Sequence, residues 1–140
     1  MIWEEATVPA VRGGELVTSV VRFSADDMCV VEVQVGDVDS SGEGPDLFEA
    51  LVQARRGLEA RDILLGCNGA RRDVSASAMQ RQTGWGRKAY LLTMPRTAAR
   101  PQVVDIFAPA CDMSAVGTVD AQRAWFERWR QSGLAEGGSP

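Results

Sequence analysis

Met28-Cys29-Val30-Val31-Glu32-Val33-Gln34-Val35-Gly36-Asp37-Val38 carries the clearest periodicity in the chain. Cys29, Val31, Val33 and Val35 fall on one side of an extended backbone; Glu32, Gln34 and Gly36 fall on the other. A period of two with one apolar and one polar face is the pattern of an antiparallel strand buried on one side only. Upstream, Thr7 to Val11 and Glu15 to Phe23 read as two more strands, joined by a tight turn at Arg12-Gly13-Gly14. Pro9 marks the first as an edge strand, because proline has no N–H to give to a ladder.

Downstream, Gly36 to Pro45 is rich in Asp, Ser and Gly and reads as a loop. Leu47 to Arg61 follows as a helix, with Asp46 as N-cap and Leu47, Leu51, Ala54 and Leu58 at helical spacing. Ile63 to Cys67 reads as a short buried strand. The unit from Met28 through the helix to Cys67 is expected to be a crossover that sets two strands parallel. A polar loop runs from Asn68 to Ser75. Ser77 to Gln82 has the signature of a capped short helix ended by Gly84. Ala89 to Met94 and Val103 to Phe107 are strands, and Thr118 caps a C-terminal helix that Gly133 should end. The predicted fold is α+β. It has a mainly antiparallel, mixed sheet of about five strands, a central helix, a C-terminal helix and a short third helix. Residues 1–134 form the expected single domain, and 135–140 a flexible tail.

Composition narrows the chemistry. The chain has 140 residues and no histidine. Ser-His-Asp and Cys-His catalysis and His-ligated metals are therefore excluded. The expectation is that no residue is catalytic and that no metal or cofactor is bound. Asp37-Val38-Asp39-Ser40-Ser41-Gly42 opens like a calcium loop, but Phe48 stands where the bidentate acid is required. Cys29, Cys67 and Cys111 form no C-x-x-C pair. Their odd number and the acidic start Glu4-Glu5 predict a cytoplasmic protein, and no apolar run is long enough to span a membrane.

Charge is unevenly placed. Residues 1–50 hold eleven acids against two arginines; residues 51–100 hold ten basic residues against three acids. Either the two segments neutralise each other within the fold, or they present charged faces to partners. Two sets of candidate residues follow. The first would bind a small anion: Asn68, Arg71, Arg72 and Asp73 at the end of the buried strand, with Arg87 and Lys88 beside Trp85. The second would bind a protein: the acids Glu32, Asp37, Asp39 and Glu43, and the helix aromatics Trp125 and Trp129. The preferred reading is a non-catalytic interaction protein: an immunity- or antitoxin-like inhibitor, a chaperone or an accessory subunit. It would bind a protein partner or pair with a second copy of itself. The alternative is an anionic-ligand module or enzyme using the Asn68–Asp73 loop. A sequence pI near 4.8 argues against nucleic acid as a partner.

Overall fold

A computed structural model describes the backbone of residues 2–97 and 100–137, with side chains up to residue 133. The chain is a mixed α+β fold in which every strand pair among the described residues is antiparallel. Strands β1 (Glu4–Arg12), β2 (Glu15–Ser24), β3 (Cys29–Val35), β4 (Val38–Gly44) and β5 (Ile63–Leu65) form one sheet in the order β4-β3-β2-β1-β5. A smaller sheet has the order β6 (Val74–Ser75), β7 (Lys88–Leu91), β8 (Gln102–Asp105). Helices α1 (Leu47–Glu59), α2 (Ala78–Thr83) and α3 (Val119–Gly137) complete the fold.

The alternation at 28–38 becomes β3 as expected, with Cys29, Val31, Val33 and Val35 all buried. Gly13 and Gly14, both at positive φ, make the β1–β2 turn. The first strand is not the expected edge: β1 lies between β2 and β5, and Pro9 sits just past the last residue pair of β5 with β1. Its carbonyl still accepts Gly66 N–H at 2.7 Å, and the Gly66 carbonyl accepts Ala110 N–H at 2.9 Å, so the missing proline donor is not called on there.

The expected Gly36–Pro45 loop is instead β4, an edge strand joined to β3 through a two-residue turn at Gly36 and Asp37. Composition misled because its small residues answer to a packing demand. Helix α1 lies so close that a Cβ on Gly42 would sit 2.2 Å from the Ala50 carbonyl oxygen and 2.5 Å from Ala54 N. Ser40 Oγ then reaches the Ala54 carbonyl at 2.7 Å. This strand also corrects the expected crossover. The helix joins β4 to β5, the two edges of the sheet, and no parallel pair forms among the described residues.

Helix α1 begins where expected: Asp46 accepts Glu49 N–H at 2.8 Å. Helix α2 carries the complete Ser77–Gln80 capping box and ends at Gly84. Helix α3 passes through Gly133 without stopping. That glycine makes room for Arg96, whose Cδ would lie 2.9 Å from a Cβ there. Residues 135–137 of the predicted tail belong to this helix, and 138–140 lie outside the described residues.

A buried arginine joins the pieces. Arg55 on α1 is 1% exposed. It donates to Gln122 Oε1 on α3 (2.5 Å), the Gly117 carbonyl (2.9 Å) and the Gly69 carbonyl (3.2 Å). Glu59, one turn along, lies 3.7 Å from its Nε and accepts Val119 N–H at the start of α3 with both oxygens. Gln122 Nε2 donates to the carbonyls of Gly69 and Val74. One cation thereby fixes α1, α3, the 3-10 turn at Asn68–Ala70 and β6. Burial of a charge is tolerable only with this many partners.

Two stability outcomes follow. Gly42→Ala overpacks the α1–β4 contact and should cost about 2–3 kcal/mol or more in thermal or urea unfolding. Gly44→Ala, whose nearest contacts are at 3.1 Å, should cost less. Gln122→Ala strips Arg55 of its side-chain acceptor and should cost about 3–5 kcal/mol, whereas Gln131→Ala on exposed α3 should stay within about 0.5 kcal/mol.

Candidate functional site

Helix α1 packs on the face of the large sheet that carries Val8, Val21, Phe23, Val31 and Val33, with α3 beside α1 and Phe107 stacked on Phe23. Among the described residues, no element covers the opposite face. Alternation places on it Glu5 and Thr7 from β1, Thr18, Val20 and Arg22 from β2, Glu32 and Gln34 from β3, and Asp39, Ser41 and Glu43 from β4. It curls into a groove of about 410 Å³ whose side chains include Val20, Arg22, Glu32, Gln34, Asp39 and Ser41. A second hollow of about 310 Å³ lies at one end, bordered by Asp26, Asp27, Met28, Val30 and Glu43.

Charge on this face is lopsided: Glu5, Glu32, Asp39 and Glu43 against Arg22. Arg22 is committed locally, 3.3 Å from Glu32 and stacked 4.9 Å from the Trp3 ring centre. Asp37, at the β3–β4 turn, bonds Arg12 at 2.8 Å, and that hydrogen bond holds its carboxyl below the usual carboxylate range.

The structure therefore brings Glu32, Asp39 and Glu43 onto one surface and sets Asp37 at its end. Trp125 and Trp129 are elsewhere, on α3, which packs beside α1 on the covered side. Trp129 Nε1 donates to the Thr93 carbonyl at 3.1 Å, and its ring stacks on Phe126 at 5.6 Å.

Of the anion-binding candidates, Asn68, Arg87 and Lys88 meet at Asp105, whereas Arg71 and Arg72 turn to other partners, and most of their donors meet internal acceptors. Arg71 is held by Asp73 through two bonds of 2.8 and 2.9 Å. Arg72 donates to the Ser114 and Ala115 carbonyls. Asn68 Nδ2 donates to the Asp105 carbonyl at 3.1 Å. Arg87 pairs with Glu4 at 2.7 Å and with Asp105 at 3.4 Å. Lys88 is exposed, opposite Asp105 in the β7–β8 register. Trp85 is 46% exposed. Its positive φ of 60° turns its carbonyl onto Leu47 N–H at 2.6 Å, satisfying a first-turn amide of α1.

One cleft was missed by the sequence reading. It measures about 380 Å³ and lies between α1, β6, α2 and α3, with Phe48, Val52, Val74, Val119 and Phe126 as apolar wall. The signal was present as Phe48 and Val52 four apart on α1, and Val119 and Phe126 seven apart on α3. Its buried polar group, Gln122, is already engaged. Two rim charges are paired as well, Arg81 with Asp46 and Glu127 with Arg130.

The described residues hold no group of three or more His, Cys, Asp or Glu side chains able to share a metal ion. No described helix is long and apolar enough to cross a membrane. The calcium-like segment is a hairpin and edge strand, whose successive side chains point to opposite faces. No protein-family model matches the chain, and no curated protein matches it.

Cys67 lies deep in the core, and burial pushes its thiol up to about 11 despite the opposing charge of Arg55. Its neutral thiol is favoured in the fold, so the associated stability is complete below pH 9.0 and is lost as pH rises toward 11. The full loss would be about 3 kcal/mol. Unfolding measured across that range should show this slope in the native chain and a flatter one in Cys67→Ala. A thiol reagent at pH 8 should modify exposed Cys111 well before Cys29 or Cys67.

Proposed function

We propose that this chain is a non-catalytic interaction protein, an inhibitor or accessory subunit, that holds a basic protein surface against the open face of its large sheet. The observation that carries this reading is the one-sided cover of that sheet. Helix α1 packs on the other face, and the face left open by the described elements is grooved and acid-rich. A cleft lined by one sign of charge raises the encounter rate with partners of the opposite sign and rejects like-charged ones. Val20 and Val30, half-buried on the same face, and Leu16, 70% exposed near its edge, supply apolar contact within the acidic field.

The charge distribution supports the same reading. At least half of the ten basic residues of the middle segment are engaged within the fold. Arg55, Arg71, Arg72, Arg81 and Arg87 turn to internal carbonyls and carboxylates. Only two of these pairs, Arg81–Asp46 and Arg87–Glu4, draw on acids of the first fifty residues. Most acids of that segment remain facing solvent.

The test compares the native chain with an E32Q/D39N/E43Q triple variant, each immobilised and exposed to extract from its own cells at low and moderate salt. The expected outcome is one stoichiometric partner with a basic surface, held by the native chain, weakened by salt and lost from the variant at unchanged thermal stability. Equal retention by both would overturn the proposal.

A further inference from the structure

Among the described residues strand β4 pairs on one side only, with β3, and the hairpin geometry says which groups its other edge leaves open. A two-residue turn makes Val35 and Val38 a mutually hydrogen-bonded pair, and such pairs alternate along an antiparallel ladder. Val38, Ser40, Gly42 and Gly44 therefore give their N–H and C=O groups to β3. The N–H and C=O groups of Asp39, Ser41 and Glu43 point the other way, to the open edge. The side chains of these same three residues stand on the grooved outer face. Backbone donors, backbone acceptors and carboxylates are thus presented together along one line.

From this we infer that the β4 edge takes an extended, basic segment of a partner protein as a sixth strand. The inference rests on the proposed acidic-face reading and adds its binding mode. Main-chain bonds to Asp39, Ser41 and Glu43 supply the docking, and alternate Lys or Arg side chains of the incoming strand lie beside Asp39 and Glu43. Its other side chains lie along the α1 flank near Glu49 and Gln53, whose Cβ atoms approach Gly44 and Gly42.

Charge selects the occupant. Two copies of β4 paired antiparallel about Ser41 would set Asp39 directly opposite Glu43 at both ends. Like charges in directly opposed positions destabilise a ladder. The edge thus disfavours a second copy of this chain and favours a basic strand.

The experiment uses the full chain and a capped peptide of alternating lysine and valine, with a glutamate–valine peptide as comparison. Hydrogen exchange should slow at the amides of Asp39, Ser41 and Glu43 with the lysine peptide only. Ser41→Pro removes an outward donor without touching the bonds to β3 and should weaken the lysine peptide by about tenfold or more. Should Ser41→Pro fail to fold, D39K/E43K serves instead, and must transfer protection of the same edge to the glutamate peptide; no transfer overturns the inference. No slowing at those amides at millimolar peptide, or native-like binding by a folded Ser41→Pro, also overturns it. If E32Q/D39N/E43Q still weakens the peptide in that case, the acidic face stands and only strand addition falls. If the triple variant binds as the native chain does, both fall.

Discussion

The buried guanidinium of Arg55 is the constraint from which the rest of the arrangement follows. A cation taken almost wholly out of water must find acceptors, and Arg55 finds them on segments far from its own helix: Gly69, Gly117 and Gln122. The acceptors lie on a 3-10 turn, on the segment before α3 and on α3 itself. The Asn68–Ala70 turn is a single turn of 3-10 helix, and β6 has two residues. Glu59 serves twice, as counter-ion to Arg55 and as acceptor for the first amide of α3, where a helix dipole favours negative charge. The covered side of the sheet is thus pinned by one polar node set among apolar contacts such as the Phe23–Phe107 stack at 3.8 Å.

That node belongs to a wider division of charge. Several arginines of the middle segment are drawn inward or across short surface bridges, because arginine forks suit the carbonyls and carboxylates that irregular loops expose. The acids of the first fifty residues sit mainly on strands and turns whose outward side chains have no covering layer. Folding does not mix the two signs evenly. It uses one sign in holding loops together and leaves the other on an open sheet, which gives the sequence asymmetry a physical meaning.

Local signals carried well from sequence to structure. The alternation at 28–38, the Asp46 cap, the Ser77–Gln80 box and the turn at Gly13–Gly14 each depend on residues within a few positions of one another, and each is present. What the sequence hid depends on distant partners. Val38–Gly44 looks like a loop because its glycines and serines answer to the Ala50 and Ala54 backbone of a helix not yet formed. Arg55 falls in the apolar stripe between Leu51 and Leu58, but its reason for being there lies at Gln122, 67 positions away. Arg71 and Arg72 look like an anion site until Asp73 and the 114–115 carbonyls are in place beside them. Glu32 was legible from the alternation of its own strand, but Asp39 and Glu43 lay in an expected loop, and only the β3–β4 hairpin brings them onto the same face.

The close approach of α1 also shapes the β4 edge. Helix and strand are nearly in backbone contact at Gly42, so the covered side of β4 has no room for large side chains, and Gly42 and Gly44 hold that side. An edge strand short of bulky residues is flat and accessible, which ordinarily invites uncontrolled pairing. Asp39 and Glu43, two residues either side of Ser41, restrain that tendency for copies of the same chain. A restraint made of charge differs from one made of proline or a bulge, because it repels one class of strand and attracts another. The same two carboxylates that keep the edge from pairing with itself therefore give it a preference, and the tight α1–β4 packing keeps both the restraint and the preference in register.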